Sequence, residues 1–312
     1  MKNVAVTGIG GYLGGLLLRR LEREPEISNI VGIDVKGPKS DCAKLKFYAR
    51  DVRQSFADIF IDNNIDTALH LAFTVTPSHD ESGSHSINID GSGNFLKACD
   101  QAGVKQLFYI SSYTAYGAHR DNPAAITEDA KLRPNPGFLY PNDKAKVDIM
   151  FQEYMASHPD SCVTIIRIAA VAGPNVVPGG LTTLFTPVMF RPIGCDPLWQ
   201  FLHEEDLVEV VTTLLKQKLG GIFNVAAEGG MHYREIIKAL HKPSVVLPGG
   251  LLRFFTGLSW KLRLQSRSPG GVELLMYPVV MNTEKLKKAA GYQFKHTGQE
   301  AFMSFVNSQR KA

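Results

Sequence analysis

Val4-Ala5-Val6-Thr7-Gly8-Ile9-Gly10-Gly11-Tyr12-Leu13-Gly14 decides the fold. A short apolar run meets a cluster of glycines, and an apolar-periodic segment from Leu13 to Leu21 follows. This reads as strand, tight turn and helix. Glycines at positions 8, 11 and 14 allow a sharp turn, a close approach to a ligand, and tight packing of helix on strand. The free N–H groups and positive dipole end of the helix face that turn, where a phosphate fits. A glycine-rich turn without a ligand is the plain alternative. The strand immediately before it and the helix after it supply the context that a dinucleotide fingerprint needs.

Working outward, Asn29 to Val35 is a second buried strand carrying an acid, Asp34, about 20 residues beyond Gly14. A carboxylate here accepts hydrogen bonds from the adenosine ribose hydroxyls and repels a 2′-phosphate, so NAD is expected over NADP. Nearby Lys36 weakens that preference slightly. Further strands are expected at 46–49, 67–72, 106–111 and 163–168, with helices at 53–63, 88–102 and 139–157. This alternation predicts an α/β fold, a Rossmann doubly wound parallel sheet covered by helices on both faces. The breaker-rich run Gly173 to Gly180 marks where the chain leaves it. The expected division is an NAD-binding domain over 1–175, with a return segment at 200–226, and a smaller, mainly substrate-binding domain over 176–312. The latter includes Leu251 to Leu264, an amphipathic helix rich in aromatic and aliphatic residues.

Composition narrows the function classes. The chain has 312 residues, 44% of them hydrophobic, which suits a globular protein with a large core. Its 34 basic and 30 acidic residues are interspersed, giving a net charge of +4 without a basic block, so no nucleic-acid partner is expected. Cys42, Cys99, Cys162 and Cys195 form no CxxC pair, so a zinc site or a disulfide framework is not expected and a reducing cytoplasm suits them. The sequence opens on its first expected strand, so no signal peptide is expected. No apolar run approaches the roughly 18 residues of a membrane span, so no membrane partner is expected. The histidines, including His70, His79, His85, His119 and His203, show no metal spacing.

Two clusters bear chemistry. In Tyr140-Pro141-Asn142-Asp143-Lys144, a phenol and an ammonium four residues apart share a helix face. A nearby ammonium stabilises the phenolate and lowers a tyrosine pKa from about 10, which readies the phenol for proton exchange with a substrate hydroxyl. Upstream, Ser111 and Ser112 end the fifth strand at the cofactor cleft, where a hydroxyl can bind the same substrate oxygen. A YxxxK pair alone is common by chance. The glycine turn, strand-end serine and Tyr–Lys pair in this order are not.

The whole chain resembles an extended short-chain dehydrogenase/reductase of the NAD-dependent epimerase/dehydratase type. Thr7-Gly8-x-x-Gly11-x-x-Gly14 matches its TGxxGxxG motif, and Asp51-Val52 its adenine-contacting pair. His70-Leu71-Ala72-Phe73 resembles HLAA, with phenylalanine for the last alanine, and Asn88 to Asn94 resembles the NVxGTxN helix start. Ser112 stands four residues before Tyr116-Gly117, and Arg167 with Gly173-Pro174 resembles LRxxNVYGP. Phe201 to Leu207 resembles FVHVDDV, and Ile222 to Val225 the YNVG strand.

The resemblance implies Ser112, Tyr140 and Lys144 as catalytic residues. It implies cofactor contacts from Thr7, Gly8, Gly10, Gly11, Tyr12, Leu13, Gly14, Asp34, Asp51, Val52, Leu71, Ala72, Phe73, Asn88, Ile110, Tyr140, Lys144 and Ile168. Substrate contacts are expected from Ser112, Tyr113, Thr114, Asn175 and Arg267, with no metal. A homodimer through the helices at 88–102 and 139–157 follows the family habit. In the implied mechanism Tyr140 takes a proton from a substrate hydroxyl, Lys144 lowers its pKa, Ser112 orients the oxygen, and NAD accepts the hydride.

Two departures bear on the substrate. Tyr113 and Thr114 replace the Asp-Glu pair of the family's dehydratases, so dehydration is not expected. Asp196 to Gln200 lacks the arginine that sugar-nucleotide epimerases place before FVHVDD, and Arg267 is a loose substitute for a second. An epimerase acting on a nucleotide sugar through a keto intermediate remains the leading expectation. The alternative is a dehydrogenase or reductase of a non-nucleotide, lipophilic alcohol or ketone. A cofactor-binding protein without catalysis is disfavoured by the intact Ser112, Tyr140 and Lys144.

Overall fold

Period-two alternation in the first strand sets the layers. In β1 (Asn3–Thr7), Val4 and Val6 enter one buried cluster and Ala5 the other, so both faces of the sheet are covered. The computed structural model describes residues 2–176, 181, 184, 186–265 and 268–310. In chain order β1 is followed by α1 (Tyr12–Glu22), β2 (Asn29–Asp34), β3 (Leu45–Ala49), α2 (Ala57–Asp62), β4 (Thr67–His70), α3 (Glu81–Ala102), β5 (Gln106–Ser112), α4 (Leu139–Ser157) and β6 (Cys162–Ile168). Then come β7 (Ala170–Ala172), β8 (Met189–Pro192), β9 (Leu198–Trp199), β10 (Phe201–His203), α5 (Glu204–Gln217) and β11 (Gly221–Val225). The chain closes with β12 (Met231–His232), α6 (Tyr233–Ala239), β13 (Ser244–Leu247), α7 (Gly249–Lys261), α8 (Glu284–Ala290) and α9 (Gly298–Gln309).

Seven strands form one sheet in the order β11-β6-β5-β4-β1-β2-β3, and every pairing in it is parallel. The doubly wound fold expected from the sequence is therefore present. The order reverses between β1 and β4, and the crevice beyond their carboxyl ends is where such sheets take ligands. One face buries Leu17, Leu18 and Leu21 of α1 with Leu207, Val211 and Leu214 of α5. The other buries Phe60, Phe95, Val147 and Phe151 from α2, α3 and α4. The return of the chain to the sheet is real: β11 pairs with β6 from Gly221↔Thr164 to Val225↔Ile168. A third cluster joins Ala172, Tyr233, Ile236, Leu252 and Phe302 beyond the carboxyl end of the sheet.

Three element boundaries differ from expectation. The third helix starts at Glu81, not Asn88, because Asp80 caps it by accepting the Gly83 N–H at 3.0 Å. Its first two turns are polar and carry no apolar period, which is why they read as loop. The second starts at Ala57 rather than Arg53, since the Arg53 side chain and backbone N–H both turn back onto Asp51. The strand expected over 67–72 ends at His70, where the chain turns into the crevice. The short strands β8 and β13, parallel to one another, had no sequence signal.

Candidate active site

The turn after β1 leaves no room for a Cβ at Gly8, Gly10 or Gly14, the tightest being Gly10, where it would lie 2.2 Å from the Lys36 carbonyl oxygen. Gly8 has φ +75°, and a Cβ there would lie 2.5 Å from the Ala72 nitrogen. A Cβ on Gly14 would meet the Gly8 carbonyl oxygen at 2.3 Å. No side chain caps α1, and its first turn contains no acid, so its positive end faces the crevice uncompensated. Asp34 closes the far side: one carboxylate oxygen accepts the Gly10 N–H at 3.0 Å and the other the Lys36 N–H at 3.3 Å. A glycine turn at a helix N-terminus with an acid beside it fits a dinucleotide. Asp51 is held beside β3 by the Arg53 guanidinium, which keeps its carboxyl below the usual range. Val52 is packed under α3, where Gly91 leaves room for it and Asn94 donates to its carbonyl at 3.0 Å.

Ser112, Tyr140 and Leu71 meet the glycine turn in one cavity of about 960 Å³. Ser112 and Thr114 hydroxyls lie 2.9 Å apart, and the Ser112 oxygen also accepts the Thr114 N–H, so the serine is fixed at the end of β5. Lys144 donates to the Ile110 carbonyl at 2.6 Å and sits 3.7 Å above the centre of the Phe73 ring, which meets Tyr140 edge-on. The phenylalanine that departs from the family motif thus packs against both the ammonium and the phenol, and the Lys144 nitrogen lies 5.9 Å from the centre of the Tyr140 ring. Burial pulls Lys144 down to about 7, opposed by the Asp148 carboxylate. Burial pushes Tyr140 up to about 12, with a hydrogen bond from Ser112 pulling the other way. This corrects the expectation that Lys144 lowers Tyr140: desolvation of the phenol wins, and the ammonium is turned toward a carbonyl.

Two buried polar networks hold this arrangement, and the sequence reading missed their key members. Asp143, between Asn142 and Lys144 of the YxxxK motif, accepts from Asn88 at 2.9 Å and lies 2.6 Å from His85. Asn88 then accepts the Thr74 N–H at 2.8 Å, which pins the chain leaving β4. So the Asn88 side chain acts on that loop and on α4. Asp148, one turn beyond Lys144, pairs bidentately with Arg167 at 2.9 and 3.0 Å, fully inside the protein. Arg167 also donates to Tyr116 and to the Glu128 carbonyl, and Tyr116 donates to Asn224 on β11. His70 bridges Thr7 and Ser92, and burial pulls it down to about 3, so it is a neutral structural group.

The rest of the cavity is built by the C-terminal part of the chain. Leu252, Phe255, Leu258, Val272 and Leu275 face it, together with Tyr113 and Thr114. Thr74 to Pro77 form one side, and His79 stacks on Trp260 of α7 with ring centres 4.0 Å apart. The 74–80 loop therefore ties the sheet to α7 across the cavity. Among the described residues lining the cavity, none is charged. Asn175, expected at the substrate, instead donates its side-chain amide to Glu204, which also accepts from Tyr12 and fills the space beside Gly173. Arg267 lies outside the described residues. His203, Glu205 and His296 are far apart in sequence, yet the fold brings a ligand atom of each within 4.8 Å of the others. Their own contacts account for them: the Glu205 N–H donates to His203, and His296 lies 3.2 Å from the Glu205 carboxylate.

Comparison with known proteins places this geometry. The model of the NAD dependent epimerase/dehydratase family matches residues 4–226. An uncharacterized protein of Mycobacterium tuberculosis is 28% identical over 99% of this chain and 84% of its own length. The UDP-glucose 4-epimerase of Thermus thermophilus, solved with NAD, superposes with a TM-score of 0.77 at 21% identity, over 99% of both chains. The UDP-glucose 4-epimerase of Thermotoga maritima, solved with UDP-glucose, gives 0.76 at 18% identity, again over 99% of both chains. At these identities the two structures share the fold.

Proposed function

Because this chain belongs to the NAD dependent epimerase/dehydratase family, we propose that it is an oxidoreductase acting on a weakly polar, non-nucleotide secondary alcohol or its ketone. The cofactor is NAD, which when bound supplies or accepts a hydride. The observation that carries the substrate reading is the lack of any charged side chain among the described residues lining the cavity. A nucleoside diphosphate would find no cation among those described residues to supply the charge-assisted hydrogen bonds that make its recognition strong; Arg267, the cation expected from the sequence, lies outside them. A large apolar cavity with few polar groups at one end orients a hydrophobic substrate instead.

In this reading Ser112 and Tyr140 grip the reacting oxygen. Tyr140 holds its proton at neutral pH and gives it to a carbonyl oxygen during reduction. In oxidation it takes that proton back, and positive charge on Lys144 favours this step. Phe73 and the Ile110 carbonyl fix where that charge sits. The division into an NAD-binding part over 1–175 and a substrate-binding part from 176 belongs to the same proposal, as does a homodimer through α3 and α4.

Epimerisation of a nucleotide sugar is the second reading, favoured by full-length superposition on two UDP-glucose 4-epimerases. Two measurements separate the readings. Apolar ketones and alcohols should raise the melting temperature of the NAD-loaded protein where UDP-sugars do not, since a ligand that binds only the folded state stabilises it. A dehydrogenase should also accumulate NADH with an alcohol substrate. Stabilisation by UDP-glucose, with sugar interconversion and no net NADH, would establish the second reading and reject the first.

A further inference from the structure

Ten of the fourteen large apolar residues exposed among the described residues fall between Phe190 and Leu264. Five of them, Leu251, Phe254, Phe255, Leu258 and Leu262, lie in and just beyond α7 at helical spacing, forming a single stripe. Phe254 is 63% exposed and Leu262 60%. Leu252, on another face of the helix, is buried in the C-terminal cluster. A stripe this apolar and this open is unusual on a soluble surface and marks an interaction site. Phe190 and Val245, exposed and paired in register on β8 and β13, extend it beside the helix.

Charge and the cavity together say what covers the stripe. Residues 236–272 contain six lysines and arginines and no aspartate or glutamate, although the whole chain is only +4. Arg253 pairs with Glu273 at 2.6 Å and Lys242 donates to the Leu184 and Thr186 carbonyls, while Lys261 and Arg263, at the end of α7, are the cations beside the stripe. The remainder of the protein is therefore net negative. A second copy meeting this face about a two-fold axis would set cation against cation. It would also close the cavity, because Phe255, Leu258 and Leu262 are both stripe residues and cavity wall. An anionic lipid surface suits the same face: apolar side chains enter the headgroup boundary while flanking lysine and arginine meet phosphate.

We propose that the α7 face docks on the surface of a lipid bilayer bearing anionic headgroups, with the cavity mouth turned toward the lipid. No helix among the described residues is long and apolar enough to cross a membrane, so α7 lies in the interface. This revises the expectation of no membrane partner, which rested on the lack of a spanning segment. Binding does not depend on the substrate reading, although a lipid-soluble substrate would enter by this route.

The test is co-sedimentation of the full chain with phosphatidylcholine vesicles, with and without phosphatidylglycerol. Binding should favour the anionic vesicles and weaken with salt. L251D/F254D, outside the cavity wall, should lower the partition coefficient by about tenfold or more while NAD binding and melting temperature stay unchanged. Lys261→Gln with Arg263→Gln should remove most of the preference for phosphatidylglycerol. Failure to bind anionic vesicles at low salt, or equal binding by L251D/F254D, overturns the proposal. So does a concentration-dependent dimer in light scattering that L251D/F254D dissolves, which would assign the face to a second copy.

Discussion

The cavity has two walls built in different ways. On the sheet side, backbone shape and buried polar pairs set the wall. Gly8 and Gly14 leave no room for a side chain, Asp143 holds Asn88 and His85, and Asp148 grips Arg167. On the C-terminal side, apolar side chains set it, from α7, Val272 and Leu275. Hydrogen bonds impose one geometry, because a buried partner left unpaired is costly. Apolar packing imposes volume and tolerates exchange of shape. The first wall is suited to holding one cofactor in one pose, the second to choosing a substrate by size and polarity.

Mutations that separate rate from binding probe the sheet wall most sharply. Tyr140→Phe should lower turnover by about 10²–10⁴-fold with NAD affinity unchanged, the range that a positioned acid or base supplies. Stopped turnover with NAD fluorescence quenching intact is the expected pair of readings; retained turnover would dismiss Tyr140 as the proton donor. The raised Tyr140 pKa adds a directional signature. Below a pKa of about 12 the phenol is the abundant form, so reduction of a ketone should be flat with pH through neutrality. Oxidation needs the phenolate and should rise with pH, by up to about tenfold per unit where this group alone limits the rate. A pH-independent oxidation rate would contradict the assignment.

The next effect lies at the cofactor's other end. Asp34 is placed by the Gly10 and Lys36 N–H groups, and its carboxylate is the group expected to meet the ribose hydroxyls. Asp34→Ala should weaken NAD by about 10–100-fold, the worth of hydrogen bonds to a charged group, and narrow the preference over NADP. Isothermal titration with both cofactors reads this directly. An unchanged ratio would show that the backbone cradle alone discriminates.

The same contrast explains what could be read from residues in order and what could not. The glycine turn, Asp34 and the alternation of strands with helices carry local signatures of backbone shape and period, so the doubly wound sheet was legible. So was the meeting of Ser112 and Tyr140 in one crevice, because both sit where parallel strands and their following helices converge. The direction of the Tyr140 shift was not, since it depends on how much water the folded chain removes. Nor was the placement of Lys144 over Phe73, which needs the loop after β4 to meet α4. Asp143 and Asp148 carry no signal of their own in the sequence; it is Asn88 of α3 and Arg167 of β6 that give them their buried partners. His203 and His296 were separate residues until α9 packed against β10. The C-terminal wall was least legible of all: β8 and β13 have four residues each, too few for a period to emerge.

The smallest expected effect tests that C-terminal wall. Phe255 faces the cavity from α7 and is also exposed at its mouth, so shortening it removes contact area without opening a sealed core. Phe255→Ala should therefore cost little stability. If the wall selects a substrate by apolar contact, the loss is shared by ground state and transition state, and it appears in KM with kcat unchanged. Such contacts are worth about 1–3 kcal/mol per removed group, so KM for an apolar ketone should rise by about 10–100-fold. NAD affinity should not move, because the expected cofactor contacts, the glycine turn and Asp34 among them, do not include α7. A fall in kcat instead would mean that α7 positions the reacting carbon, and the division between a geometric wall and a volumetric one would fail at this residue.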